Sequence, residues 1–170
     1  MTSPEQKDPA SGASAEDTDR ASKGSDHGGK AKPRIRVVAA EITNAEGDFL
    51  LTQRNMRAVF PLLWEFPGGR VREGESECSA LRRCLGDKLG IEIEVGSLRL
   101  SVDRDYQDYV VELQSYSATL VGGPPSAIDV RDFRWVAVDE MKNYRFPPAD
   151  KESVDALLSV TADSDSNDPA

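Results

Sequence analysis

The stretch WEFPGGRVREGESECSALRRCLGDKLGI, residues 64–91, constrains the fold of this chain more than any other segment. Pro67 and the two glycines after it interrupt a strand, and paired glycines let the backbone approach a ligand without an intervening side chain. Ser76 is a typical helix N-cap residue, and apolar residues then recur at helical spacing until Gly90 ends the pattern. The stretch therefore predicts a strand, a glycine loop and a helix in succession.

Short apolar runs on both sides of this stretch predict further strands, separated by turn-forming residues. The predicted strands cover residues 34–43, 48–54, 91–95, 99–106, 109–121 and 132–138. Two further helices are predicted near residues 139–143 and 149–160. Strands interleaved with helical patterns are typical of an α/β fold in which a mixed β-sheet is packed between helices.

The two ends of the chain differ in composition from its centre. Residues 1–33 contain no aromatic or large aliphatic residue after Met1, and residues 161–170 are small, polar and acidic. Such segments cannot bury enough apolar surface to offset the entropy lost on ordering. We therefore expect a disordered tail at 1–33, a single domain at 34–160 and a disordered acidic tail at 161–170.

Charge and hydropathy argue against several classes of protein. The formal net charge is -9, and the acidic excess extends into residues 34–160, so nonspecific nucleic-acid binding is not expected. The longest apolar runs fall far short of the roughly 20 residues that cross a bilayer, and the N-terminus lacks a signal-peptide pattern. These features predict a cytoplasmic protein without a membrane partner.

The cysteines and the single histidine do not form a recognisable catalytic or zinc motif. Cys78 and Cys84 are six residues apart on the predicted helix, which separates them by about 9 Å along its axis, too far for a disulfide. His27 lies in the N-terminal tail. Neither a zinc site nor a Ser/His or Cys/His pair can be assembled from these residues.

The 64–91 stretch resembles the Nudix box of MutT-like pyrophosphohydrolases. That motif is a glycine, five residues, a glutamate, seven residues and then REUxEExGU, where U is aliphatic. The positions that match it are Gly69, Glu75, Arg83, Leu85, Gly90 and Ile91. The segments RWV at 134–136 and FPPAD at 146–150 also resemble the MutT branch. The resemblance implies the Nudix fold and hydrolysis of nucleoside triphosphates, such as 8-oxo-dGTP, to the monophosphate and pyrophosphate.

The resemblance also implies Mg²⁺ or Mn²⁺ bound by the three glutamates of REUxEE, but this chain departs from that pattern. Cys84, Asp87 and Lys88 occupy the three positions. A thiol is a poor ligand for Mg²⁺, and an ammonium about 4 Å from a divalent cation costs roughly 8 kcal/mol at an effective dielectric of 20. Asp129 lies where related proteins often carry another metal-binding acid. We therefore expect Asp87 and Asp129 to bind metal only weakly.

Two other arrangements of Lys88 stay open at this point. Its side chain can turn away to pair with Asp87 or Glu92, or its ammonium can contact phosphates directly, without activating a water. The resemblance further assigns Glu75, Arg83 and Asp87 to the catalytic site. Arg83 has a second interpretation, because it can persist as a structural ion pair after catalysis is lost.

The resemblance assigns a substrate site to six residues: Arg54, Phe66, Gly68, Gly69, Tyr106 and Asp150. In this interpretation Asp150 reads the base edge, Phe66 stacks on the base, Tyr106 closes the pocket and Arg54 meets a phosphate. Phe66 can equally be a core residue, and Asp150 can equally be the N-cap of the last helix.

The sequence leaves two classes of function open. The first is a nucleoside-triphosphate pyrophosphohydrolase, weakened by Cys84 and Lys88. The second is a catalytically silent nucleotide-binding or regulatory module on the same fold, since a fold alone does not determine activity. In both, the partner is a small-molecule nucleotide, and the resemblance adds the expectation of a homodimer.

Overall fold

The structure is a computed structural model that describes residues 30–164. The chain from Ala31 onward forms one compact unit. Most of the two predicted disordered tails lies outside the described residues. The elements are β1 (Arg34–Ile42), β2 (Phe49–Gln53), β3 (Trp64–Glu65), β4 (Gly68–Arg70), α1 (Glu77–Leu89), β5 (Glu92–Asp105), β6 (Val110–Gly122), β7 (Asp132–Val136), a 3-10 helix (Val138–Asn143) and α2 (Pro148–Ser164).

The strands form two sheets. The first has the order β4-β1-β6-β5, in which β1 runs parallel to β6 and antiparallel to β4. The second has the order β3-β2-β7 and is antiparallel throughout. The predicted α/β fold with a mixed sheet is therefore confirmed, and a smaller second sheet is added to it.

The second half of strand β1, from Val38 to Ile42, is buried on both faces because helices cover the first sheet from two sides. Val38, Ala40 and Ile42 belong to a core cluster with the apolar residues of α1. Ala39, on the opposite face, belongs to a second cluster that includes Ala149 and Val154 of α2. This period-two alternation between two cores is what a strand sandwiched between helices requires.

Helix α1 begins and ends where its sequence predicts. The Ser76 hydroxyl accepts a hydrogen bond from the Ser79 amide at 3.2 Å, and Gly90 adopts φ 67° with its amide on the Gly86 carbonyl. A left-handed residue at this position is typical of glycine, which lacks the steric penalty of a Cβ atom. These caps fix the position of α1 against β4.

The structure differs from the predicted elements in three places. The sequence predicts separate strands at 91–95 and 99–106, but they form the continuous β5, whose pairing with β6 shifts register on both sides of Leu98. Around Pro67, where a break is predicted, the backbone forms the short strands β3 and β4. Helix α2 extends to Ser164, so the described part of the predicted C-terminal tail is helical. No helix among residues 30–164 has the length and apolar character needed to span a membrane.

Candidate functional site

A cavity of about 360 Å³ lies between β1, β4, the end of α1 and the beginning of α2. All six residues predicted to bind substrate line it: Arg54, Phe66, Gly68, Gly69, Tyr106 and Asp150. Lys88 and Asp129 line the same cavity. Its volume falls within the roughly 300 to 1,000 Å³ of small-molecule sites. The topology therefore gathers residues from distant parts of the sequence into one pocket.

One end of the cavity is formed by the two glycines of β4. A Cβ atom on Gly68 would overlap the Val38 carbonyl oxygen of the paired strand. A Cβ atom on Gly69 would lie 2.7 Å from Cys84 Sγ and 3.6 Å from Lys88 Nζ. Glycine is thus required at both positions. Strand β1 approaches Gly68, and helix α1 approaches Gly69, too closely for a side chain.

The ammonium group of Lys88 is held at this glycine end. Its Nζ atom donates a hydrogen bond to the Gly68 carbonyl oxygen at 2.6 Å, and the side chain is half-buried. Within residues 30–164, Lys88 forms no salt bridge, so the alternative in which it pairs with Asp87 or Glu92 is wrong in this structure. The ammonium therefore lies at the cavity lining, bonded to a backbone carbonyl oxygen and not to a carboxylate.

Asp129 is positioned beside Lys88 through the backbone. Its amide donates to the Lys88 carbonyl oxygen at 3.1 Å, which ties the loop before β7 to the last turn of α1. The Asn55 side-chain amide lies 3.4 Å from Asp129 Oδ1 and 3.3 Å from the Asp129 carbonyl oxygen. Asp129 is thus the acid of the predicted metal set that lines the cavity.

The remaining members of that set do not fit a site for a hard divalent cation. Cys84 is 4% exposed and belongs to the core cluster, with its sulfur close to Gly69. Asp87 is exposed on α1 and does not line the cavity. In the described part of the chain, no three His, Cys, Asp or Glu side chains are grouped to hold a metal. Mg²⁺ prefers several oxygen ligands, and one carboxylate beside an ammonium does not supply them.

Glu75 and Arg83 form a bidentate ion pair next to the glycine end. Arg83 donates from Nε to Glu75 Oε1 and from Nη2 to Oε2, both at 2.8 Å, and Nη2 also reaches the Arg70 carbonyl at 2.9 Å. The Arg72 amide donates to Glu75 Oε2 at 2.9 Å. Hydrogen bonding from Arg83, with that from the Arg72 amide, lowers the pKa of Glu75 to about 2. Both carboxylate oxygens are therefore engaged in joining the loop to α1 and β4.

Asp150, Glu65 and Arg54 form a second group of charged residues that line the cavity. Helix α2 begins at Pro148, and the Lys151 amide bonds to the Pro147 carbonyl, so Asp150 lies in the first turn and is not the N-cap. Arg54 Nη1 forms an ion pair with Glu65. Burial, followed by the charge of Glu65, raises the pKa of Asp150 to about 8, against the opposing effect of Arg54. This raised pKa favours the neutral acid, which both donates and accepts a hydrogen bond.

Three aromatic side chains besides Phe66 line the cavity: Phe60, Tyr106 and Tyr109. Tyr106 stacks on Tyr109 with ring centroids 5.0 Å apart and lies 6.2 Å from Phe60. Phe66, by contrast, is 2% exposed and packs edge-on against Phe49, which favours its core interpretation over base stacking. Tyr106, which the resemblance assigns to the closure of the pocket, thus lines the cavity.

Sequence reasoning missed three residues of this site: Glu65, Phe60 and Tyr109. Glu65 lies inside the 64–91 stretch, so its place between Trp64 and Phe66 could have predicted a charged residue at the site. Phe60 adopts φ 55° in an irregular loop, and no periodicity predicts where its ring points. The Tyr106 amide bonds to the Tyr109 carbonyl across the β5–β6 turn, and this hairpin pairing places the two rings side by side.

Comparison with known proteins shows the family to which this chain is similar. A family profile described as NUDIX domain matches residues 38–156. The CTP pyrophosphohydrolase of Escherichia coli K12 is 34% identical over 128 residues, covering 75% of this chain and 94% of that protein. The 8-oxo-dGTP diphosphatase of Haemophilus influenzae is 31% identical over 130 residues, covering 76% and 96%.

Solved structures show the same fold. The solution structure of the E. coli ORF135 protein has a TM-score of 0.66 and 32% identity, covering 77% of this chain and 93% of that one. The MutT protein of Methanosarcina mazei has a TM-score of 0.67 at 22% identity, covering 79% and 99%, and supports the fold alone. Because the family profile spans most of the chain and two relatives matched over nearly their whole length exceed 30% identity, this chain belongs to the Nudix family, among its MutT-like members.

Proposed function

We propose that this chain binds nucleoside triphosphates in the cavity and that it hydrolyses them to the monophosphate and pyrophosphate only weakly. In this proposal the base lies toward Asp150 and the phosphates lie toward Gly68 and Gly69. The main observation that supports weak hydrolysis is the position of the Lys88 ammonium. It lies 2.6 Å from the Gly68 carbonyl oxygen, at the end of the cavity where the family motif has carboxylates.

The base end supports nucleotide binding. A neutral Asp150 offers one donor and one acceptor, which matches a base edge that presents a donor beside an acceptor, as cytosine and guanine-type bases do. The relatives named CTP pyrophosphohydrolase and 8-oxo-dGTP diphosphatase act on one base of each kind. These two triphosphates are therefore the first ligands to test.

The phosphate end supports weak hydrolysis. Attack of water on phosphorus in a metal-assisted mechanism needs a cation that lowers the pKa of that water and neutralises the developing charge. Cys84 is buried in the core and Asp87 is exposed outside the cavity, so Asp129 is the only acid of the predicted metal set that lines it in the described part of the chain. An ammonium can balance phosphate charge, but it does not produce a metal-bound hydroxide.

The alternative is an efficient pyrophosphohydrolase, and one observation favours it. The Glu75 and Arg83 pair of the box is retained with both hydrogen bonds at 2.8 Å, and Asp129 lies at the cavity. In that case a different arrangement of Asp87 and Asp129 would have to bind the metal when substrate is present.

Pyrophosphate release distinguishes the two alternatives. The native chain and a Cys84→Glu/Lys88→Glu variant are assayed with CTP, dGTP and 8-oxo-dGTP, each with Mg²⁺ and with Mn²⁺. We expect the variant to exceed the native chain by at least about tenfold on one of these triphosphates, the effect of removing roughly 1.4 kcal/mol of repulsion. Native turnover equal to that of the variant, and lost on Asp129→Ala, would refute weak hydrolysis. The same triphosphates are titrated into both proteins by calorimetry, and binding by neither protein would refute the nucleotide site itself.

A further inference from the structure

The glycine end of the cavity carries a cation, Lys88, that has no ion-pair partner among residues 30–164. Lys88 Nζ has three N–H donors, and one is engaged by the Gly68 carbonyl oxygen at 2.6 Å. Gly69 lies next to this ammonium, since a Cβ atom at position 69 would be 3.6 Å from Nζ. The arrangement fixes a positive charge beside two residues that have no side chain.

The other charged groups of the cavity compensate only part of the positive charge at its glycine end. Arg54 and Glu65 neutralise each other in an ion pair. Asp150 shares their end of the cavity, and Asp129 contacts the Asn55 amide. Arg70, at the end of β4, also lines the cavity, and its guanidinium forms no salt bridge within residues 30–164. Two cations therefore stand against one exposed acid at the glycine end of an otherwise acidic protein.

We propose that Lys88 is the phosphate-binding residue of this site, taking the place of a divalent metal, so that the cavity binds di- and triphosphate groups without one. This inference rests on the proposed nucleotide site and assigns the chemistry of its phosphate end. Lys88 donates hydrogen bonds from its free N–H groups to phosphate oxygens, and it makes and breaks no covalent bond. An ammonium on a flexible stem suits this role because it binds phosphate as a point charge.

The test is nucleotide binding measured by calorimetry in EDTA. The probes are CTP, 8-oxo-dGTP and inorganic pyrophosphate, with cytidine as a probe that lacks phosphate. The native chain is compared with Lys88→Met, which keeps length and removes charge, and with Arg82→Met, which removes an exposed charge from the same helix outside the cavity. Loss of one charge-assisted hydrogen bond corresponds to roughly tenfold to hundredfold in Kd.

We expect the native chain and Arg82→Met to bind a triphosphate in EDTA with the same Kd, and Lys88→Met to bind it at least about tenfold more weakly. Cytidine binding is expected to be equal in all three proteins, which also shows that Lys88→Met keeps its pocket. Equal triphosphate binding by Lys88→Met, or native binding that occurs only after Mg²⁺ is added, overturns the role of Lys88 while leaving the nucleotide site in place. No binding of any probe under any condition overturns the nucleotide site as well.

Discussion

The close approach of α1 to Gly69 gives a prediction whose size can be derived from two distances. In Gly69→Ala the new Cβ lies 2.7 Å from Cys84 Sγ, about 1 Å inside an ordinary contact. Overpacking of this kind costs about 1 to 3 kcal/mol of unfolding free energy. Because φ at Gly69 is not positive, no backbone strain adds to this cost.

A compensating substitution should recover most of that loss. In Cys84→Ala the sulfur is removed, and the nearest helix atom to the new methyl group at position 69 becomes the Cβ of residue 84, at 3.6 Å, which is ordinary contact. Cys84→Ala alone leaves a small void at a position that is 4% exposed, at a cost of about 1 kcal/mol. The methyl group of Gly69→Ala fills that void, so the double variant should be more stable than the sum of the singles by about 1 to 3 kcal/mol.

Equilibrium unfolding in urea, with the slope m checked for constancy, measures all four proteins of this cycle. The matched control is Gly68→Ala, whose Cβ overlaps the Val38 backbone oxygen and not a side chain. Cys84→Ala cannot relieve that overlap, and no recovery is expected in the Gly68 background. Strict additivity in the Gly69 cycle would refute the contact between β4 and α1 as described.

Two pH dependences follow from the charged pairs. The folded-state pKa of Asp150 is raised from 3.8 to about 8, so its ionisation destabilises the fold increasingly between pH 4 and 8. Asp150→Asn should therefore gain stability over the native chain as pH rises through this window in urea unfolding, and a gain independent of pH would contradict the burial of this acid. The folded-state pKa of Glu75 is lowered from 4.5 to about 2, so its stabilisation is present above pH 4.5 and is lost toward pH 2. Glu75→Gln should lower the thermal midpoint of unfolding at pH 7, and near pH 2 the variant and the native chain should have the same midpoint. A variant midpoint that is still lower near pH 2 would show that Glu75 acts through packing and not through its charge.

The local rules that predicted α1 hold because they depend on residues close in sequence. Ser76 and Gly90 specify the ends of the helix through their own backbone and side-chain preferences. The apolar positions that specify its buried face are all buried: Ala80, Leu81, Cys84, Leu85 and Leu89. The membership of the cavity was predictable for a different reason: the resemblance extends beyond the 64–91 motif to Arg54, Tyr106 and Asp150, and so assigns residues from distant segments to one site.

One element that differs from prediction depends on a partner far along the chain. Gly96 and Ser97 indicate a break between two strands, but the Ser97 amide bonds to the Ser117 hydroxyl at 3.0 Å and keeps β5 paired with β6. Asp150 differs from prediction for a local reason instead: it has the side chain of an N-cap, but the helix begins earlier at Pro148, a residue suited to the first helical position. The strand pairing is thus decided by a distant segment, and the start of the helix by a nearby proline.

The orientation of Lys88 was the least predictable feature and has the largest consequence. Its sequence neighbours Asp87 and Glu92 offer carboxylates at the same end of the helix, yet the ammonium bonds to the Gly68 carbonyl oxygen. Negative charge is also reduced elsewhere in the cavity, because Arg54 neutralises Glu65 and burial favours the neutral form of Asp150. A triphosphate would bring several negative charges into a protein of net charge -9. The repulsion between the triphosphate and the acidic residues of the protein decreases when those residues are neutralised. Neutralisation of the acids near the base therefore favours binding of a triphosphate. The cation at the phosphate end also favours it, so that the ligand can bind without a metal.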